Sequence, residues 1–231
     1  GTIETADNID FTFNGTGYLY YYKDGIFDLG INSNFILQGD GDTDRKMWVG
    51  TNALLYIANH NVTVNDCRLD YNSGATFKMS GSTVTFDNVF VNDGTGTAGH
   101  AIYAYDIDDL SVYSTDFTGF SSTILLEDID VCPNDINVKI DYSTFVNHDF
   151  AAIEAYNVER MRFFTSTATG QTGVTAGLFL EDVDECLVDN STITDYTLTS
   201  VDAGGIFCHR VGALIIDGSS IRDNTDGIEA R

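Results

Sequence analysis

Apolar and polar residues alternate along this chain in short bursts, and the bursts recur. One burst has the form apolar-x-apolar-x-x-small-x-apolar. It reads VTVNDCRL over 62–69, VTFDNVFV over 84–91, LSVYSTDF over 110–117, VKIDYSTF over 138–145, MRFFTSTA over 161–168, CLVDNSTI over 186–193 and LIIDGSSI over 214–221. Its third residues are Val64, Phe86, Val112, Ile140, Phe163, Val188 and Ile216, spaced by 22, 26, 28, 23, 25 and 28 residues. Alternation of this kind predicts half-buried strands. A unit this short cannot bury its own apolar row, so the units must stack.

A second burst precedes each first one: LYIAN (55–59), FKMSG (77–81), IYAYD (102–106), ILLED (124–128), IEAYN (153–157), LFLED (178–182) and IFCHR (206–210). Its first and third residues are apolar. Its fifth is Asn59, Gly81, Asp106, Asp128, Asn157, Asp182 or Arg210. Asn, Asp and Gly tolerate left-handed backbone angles, so this position predicts a tight bend. Asp66, Asn88, Asn190 and Gly218 predict a similar bend in the other burst. No amphipathic helix is evident, and no LxxLxLxxN pattern of leucine-rich repeats occurs. A β-sandwich would not keep two apolar rows in phase over so many units. The pattern therefore predicts an all-β chain folded as a parallel β-helix of about seven to eight coils.

The repeat organises residues 1–231 as one domain, with a lead-in over 1–17 and stacked coils over 18–231. Leu37 lies 27 residues before Val64 and is in phase with it. The final DGIEAR (226–231) begins another first burst with no cap after it. An open strand edge invites aggregation. The expectation is a longer native protein, or another chain covering that end.

Charge narrows the partners. The 231 residues carry 35 acidic and 11 basic side chains, a net charge of −24. That argues against nucleic acid, which needs clustered Lys and Arg, and against anionic membranes. No apolar run is long enough to span a bilayer. Cys67, Cys132, Cys186 and Cys208 show no metal-binding spacing, and three fall on inward positions, where they read as small core residues. His60, His100, His148 and His209 are scattered. Asn14-Gly-Thr, Asn61-Val-Thr and Asn190-Ser-Thr match glycosylation sequons.

If the apolar rows point inward, the residues between them point out. The outward rows of the first strand are then Tyr56, Lys78, Tyr103, Leu125, Glu154, Phe179 and Phe207, and Ala58, Ser80, Tyr105, Glu127, Tyr156, Glu181 and His209. Three of the chain's seven glutamates share this face. Glu127, Glu154 and Glu181 are candidate catalytic residues, because glycoside hydrolysis needs two flanking carboxyl groups. Tyr103, Tyr105, Tyr156, Phe179, Phe207 and His209 are candidate substrate-binding residues, because ring faces accept the C–H surface of a sugar. The same strip also suits sugar binding without catalysis, or a subunit contact. The loop Val131–Asp135 lengthens the bend beside Glu127 and is placed to line a groove.

The segment GIFDLGINSNFILQGDGD (25–42) resembles the first turns of pectin-lyase-like proteins, where an apolar strand, a bend and an I-x-G-x-G segment recur. The resemblance covers roughly residues 18–231. It implies a right-handed helix but not one chemistry, since the superfamily holds lyases, hydrolases, epimerases, phage tailspikes and adhesins. Pectate-lyase relatives hold an acidic sugar through Asp-bound Ca²⁺, with Arg or Lys as base. Here the outward row Asp87, Asp141, Asp189 and Asp217 is interrupted by Tyr113 and Phe164, and Arg162, beside Lys139, is the nearest base. The expectation is no cofactor, with Ca²⁺ as the alternative. Likeness to tailspikes implies a polysaccharide partner, an extracellular or virion location and homotrimers as one assembly. Three readings stand open: a polysaccharide-binding or hydrolysing fibre, a Ca²⁺-dependent lyase, and a non-catalytic adhesin.

Overall fold

The computed structural model describes residues 2–4, 11–14, 19–21, 25–28, 34–41, 45–58, 60–81, 83–93, 99–130, 136–171, 173–197 and 204–231. These contain β-strands and no helix. All the strands pair in parallel and form three faces of a solenoid. The first face stacks 54–58, 76–80, 100–105, 122–129 and the first halves of 151–164 and 176–189, then 204–209 and 228–230. The second stacks the start of 61–71 and of 83–93, then 109–113, 138–141, the second halves of 151–164 and 176–189, and 213–217. The third stacks the ends of 61–71 and 83–93, then 116–118, 144–146, 167–169, 192–194 and 220–222. Strands 2–4, 11–13, 19–21, 25–28, 34–38 and 45–49 carry the faces on toward the N-terminus.

Register follows the apolar rows. Leu37, Val64, Phe86, Val112, Ile140, Phe163, Val188 and Ile216 stand in one column. From Leu37 to Val188 they are fully buried. Cys67, Cys186 and Cys208 are buried free thiols; Cys132 lies outside the described residues. Phe117 and Phe145 stack inside the third face with centroids 4.9 Å apart. Ile216 and Ile228, in the last coil, are exposed.

The bends obey one rule. Gly81, Asp106, Asp128, Asn157, Asp182 and Arg210 all have positive φ, between 49° and 75°; Asn59 lies outside the described residues. The second bend holds Asp66, Asn88 and Asn190 as expected, together with Gly218, and adds Ser114, Tyr142 and Thr165. Tyr142 pays for a left-handed angle with a bulky side chain, at roughly 1–2 kcal/mol. Its ring packs edge-on against Tyr113 and Phe164.

Just past this bend, the small position of the repeat becomes a ladder of hydroxyls, buried from Thr115 to Ser191 and half-buried at Ser219. The N–H of Thr115 donates to Ser143 Oγ at 3.2 Å, Ser143 to Ser166 at 3.0 Å, Ser166 to Ser191 at 3.1 Å and Ser191 to Ser219 at 3.0 Å. Each hydroxyl donates in turn to the carbonyl two residues earlier. Cys67 and Val89 hold the same position in earlier coils, and there the corner is filled by apolar atoms. Ser166→Ala strands the Ser143 N–H in a dry corner. It should cost about 1–3 kcal/mol, read as a lower urea midpoint with unchanged slope. An unchanged midpoint would show that the ladder adds no stability.

At the third corner His148 is fully buried, and its Nε2 lies 2.8 Å from Tyr196 Oη. Nδ1 is buried without a partner among the described residues. Burial lowers the imidazole pKa from 6.5 to about 4. The unfolded chain therefore takes up this proton first as pH falls. The contribution, about 3 kcal/mol by linkage, is complete above pH ~6.5 and is lost as pH falls through about 4. His148→Gln should flatten the fall in melting temperature between pH 7 and 4. A variant with the wild-type slope would assign that acid sensitivity to other groups.

Candidate functional site

The first face carries both outward rows in the expected order. Tyr56, Lys78, Tyr103, Leu125, Glu154, Phe179 and Phe207 pair rung to rung, as do Ser80, Tyr105, Glu127, Tyr156, Glu181 and His209. From Tyr103 to Phe207 and from Tyr105 to His209 the rungs pair in parallel without a shift of register.

Each glutamate is tethered by a donor. Tyr103 Oη donates to Glu127 Oε2. Tyr156 Oη donates to Glu154 Oε2 at 2.9 Å. Glu181 Oε1 accepts from Arg210 Nη2 at 3.0 Å and lies 3.2 Å from His209 Nδ1. Only one oxygen of each is used. Glu127 Oε1, Glu154 Oε1 and Glu181 Oε2 have no donor among the described residues. Glu154 is the most enclosed of the three, with 9% of its surface exposed. It sits between Leu125 and Phe179 in its row.

The rings form a wall beside the carboxylates. Phe179 stacks on Phe207 at 4.8 Å and leans on Phe150 and Tyr156. Phe207 keeps its outward register, yet it is 5% exposed. Phe179 covers one side, and the Arg231 guanidinium lies 5.8 Å from its ring centre. It therefore supports the wall more than it meets solvent. Tyr105 is exposed. The N-terminal end of the strip is closed by Lys78, whose ammonium lies 4.2 Å from the Tyr103 ring centre, 5.0 Å from Tyr105 and 5.6 Å from Tyr56.

Sequence reasoning missed His100. It starts the strand 100–105, where a register shift between His100 and Tyr103 breaks the simple alternation. Its Nδ1 lies 3.0 Å from the Ser122 carbonyl, which can only accept, so Nδ1 carries the proton and Nε2 is the basic nitrogen. Burial lowers its pKa, against a smaller upward pull from the Ser122 carbonyl and from Glu154 and Glu127. A second missed feature is an open groove of about 570 Å³ along the first bend, lined by Asp130, Asn157, Val158, Glu159, Asp182 and Asp184. The signal was present, since an acidic residue two places after the bend recurs as Asp108, Asp130, Glu159 and Asp184. The Arg210 guanidinium forks onto Asp182 and holds it below the usual carboxylate range.

The acidic row of the second face is less open than its sequence suggests. Arg162 forks onto both oxygens of Asp141 and lies over the Phe164 ring. Lys139 Nζ is 3.6 Å from Asp109. Among the described residues, no group of three or more His, Cys, Asp or Glu side chains could hold a metal ion. The Val131–Asp135 loop lies outside the described residues. Asn190, a sequon residue, occupies a bend, and its amide binds Asp189 at 2.8 Å. No family model, no curated protein and no solved structure matches this chain.

Burial, and second the hydrogen bond to Glu127, raises the Tyr103 pKa well above 10; burial and Glu154 do the same for Tyr156. Both phenols should stay protonated through an alkaline titration that ionises exposed tyrosines. Glu154→Gln should shift one hidden transition, followed by phenolate absorbance, partway toward the ordinary range. Burial, the larger cause, would remain. A titration curve identical to wild type would show that the Tyr156–Glu154 bond does not form in solution.

Proposed function

We propose that the first face binds a polysaccharide, and that the protein is a fibre-type β-helix working outside a cell or on a virion. The observation that carries this reading is the set of half-satisfied carboxylates. Three glutamates line one strip beside Tyr103, Tyr156 and Phe179, and each keeps one acceptor oxygen open. Sugars are dense in hydroxyl donors and carry C–H faces that pack on rings. The successive rungs, roughly 4.8 Å apart, repeat along the axis, as the units of a polymer do.

A second reading, hydrolysis, is favoured by the carboxylate spacing. Glu127 and Glu181 stand two rungs apart in one row, roughly 9–10 Å. Inverting glycosidases use separations of about 6.5–9.5 Å. In this reading one glutamate protonates the leaving oxygen and the other activates water. Tyr103, Tyr156 and Arg210 hold the carboxylates in place.

A glycan panel with wild type and the Glu127→Gln, Glu154→Gln and Glu181→Gln variants tests both. Binding is expected for wild type, weakened about 10- to 100-fold in at least one variant, as for loss of a charge-assisted hydrogen bond. Hydrolysis predicts new reducing ends of inverted configuration, absent from the variants that still bind. If no glycan binds, or all four proteins bind alike, the strip is not a glycan site.

A further inference from the structure

We infer that a second sugar site lies off the first face, at the bend between the second and third faces, where Tyr113, Tyr142 and Phe164 form a platform for the C–H face of a neutral hexopyranose. The inference goes beyond the first-face reading and shares only its class of ligand. The acidic outward row of the second face is interrupted by Tyr113 and Phe164. In the fold these two flank Asp141 rung by rung. Tyr142, the next residue, stands at the bend against both, its ring centre 5.2 Å from that of Tyr113 and 5.6 Å from that of Phe164. The interplanar angles are 63° and 90°, so neither neighbour lies flat on Tyr142. Phe179 and Phe207 show the contrast. They stack at 18°, and Phe207 is 5% exposed. Tyr113 and Tyr142 remain 45% and 48% exposed.

The same bend in other coils holds Asp66, Asn88, Ser114, Thr165, Asn190 or Gly218, and Tyr142 takes the left-handed angle, φ 54°, with the bulkiest side chain of the column. Strained backbone of this kind clusters where ligands are held. The platform is also held from within. Arg162 forks onto Asp141, between the rings, and its guanidinium lies 5.6 Å from the Phe164 ring centre. Hydroxyls stand ready at the margins. The Tyr113 and Tyr142 phenols and the Ser114 and Thr165 hydroxyls have no hydrogen-bond partner among the described residues. Ser114 and Thr165 sit one coil before and one coil after Tyr142. Open rings bracketed by hydroxyls match a sugar, which offers C–H faces and hydroxyl edges. Asp87 and Asp189 border the platform on either side. They accept from hydroxyls and repel the charge of a uronate. Size favours a small ligand. The open part of the two tyrosines comes to roughly 200 Å², at about 150–250 Å² per aromatic side chain. A stable protein contact takes about 800 Å² from each partner.

Solution NMR on protein with isotope-labelled tyrosine rings decides the matter, with cellohexaose, maltohexaose, mannohexaose and N-acetylchitohexaose as probes. At least one probe should move the Tyr113 and Tyr142 ring signals together and saturably. Tyr142→Asn and Tyr113→Leu identify those signals, and each should weaken that binding at least tenfold. Asn suits the left-handed bend. Tyr142→Asn should therefore melt no lower than wild type while it loses the sugar, an outcome that a purely structural ring does not give. Tyr113→Leu, away from the strained backbone, keeps the test decisive if the Asn variant folds poorly. Glu127→Gln/Glu154→Gln alters the first face alone and should leave the Tyr113 and Tyr142 shifts in place. No shift with any probe overturns the inference, as does full affinity in either tyrosine variant. So does light scattering that shows Tyr142→Asn turning an oligomer into a monomer, since the patch is then a subunit contact. A probe that moves Tyr103 or Tyr156 and spares Tyr113 and Tyr142 overturns the inference and leaves the first-face reading standing. Shifts at Tyr113 and Tyr142, with every glutamate variant binding as wild type, support the inference and remove the first-face reading.

Discussion

The corners of the coil hold the molecule in register. Each turn of the solenoid changes direction at bends whose central residue sits in a left-handed conformation, and those residues stack in columns. The amide at each bend reaches the next coil: Ser114 to the Asp141 carbonyl, Tyr142 to Phe164, Thr165 to Asp189 and Asn190 to Asp217, at 2.9–3.0 Å. A one-residue slip at any corner would turn every following side chain to the opposite side of its strand. The apolar columns and the glutamate strip therefore depend on the same constraint. What packs Val112 over Ile140 also sets Glu127 opposite Tyr156.

The strip inherits the rigidity of that frame. Its side chains come from rungs joined by continuous parallel pairing, and its carboxylates are aimed by phenols and a guanidinium from the same face or the adjoining bend. Among the described residues Glu154 is buried, as are Asp70 and Asp93, whereas Glu127 and Glu181 are only half-buried. An enclosed charge with one open oxygen is costly unless something answers it. A donor-rich ligand is one such answer.

Most of the fold was legible because strand periodicity and bend chemistry agree in nearly every unit. Both outward rows, the column from Leu37 to Ile216 and the first bend from Gly81 to Arg210 could be placed from residue types alone. The failures have local causes. Ser114, Tyr142 and Thr165 adopt left-handed angles that their side chains do not advertise. His100 was lost to the register shift at its strand's start. Phe207 has outward register but is covered, because burial depends on the neighbours Phe179 and Arg231 and not on alternation. The Arg162 fork on Asp141 depends on side-chain reach across a rung, which spacing along the chain does not reveal.

The hydroxyl ladder bears on how such a chain can change its length. From Thr115 to Ser219 every coil offers its neighbour the same polar corner. A duplicated or deleted coil inside that stretch would still find a serine or threonine hydroxyl on each side. The coils of Cys67 and Val89 speak a different language at the same position. A coil exchanged across the Val89–Thr115 junction would set an apolar side chain where an amide needs an acceptor. Growth by repetition is therefore open within each block and closed across the junction between them.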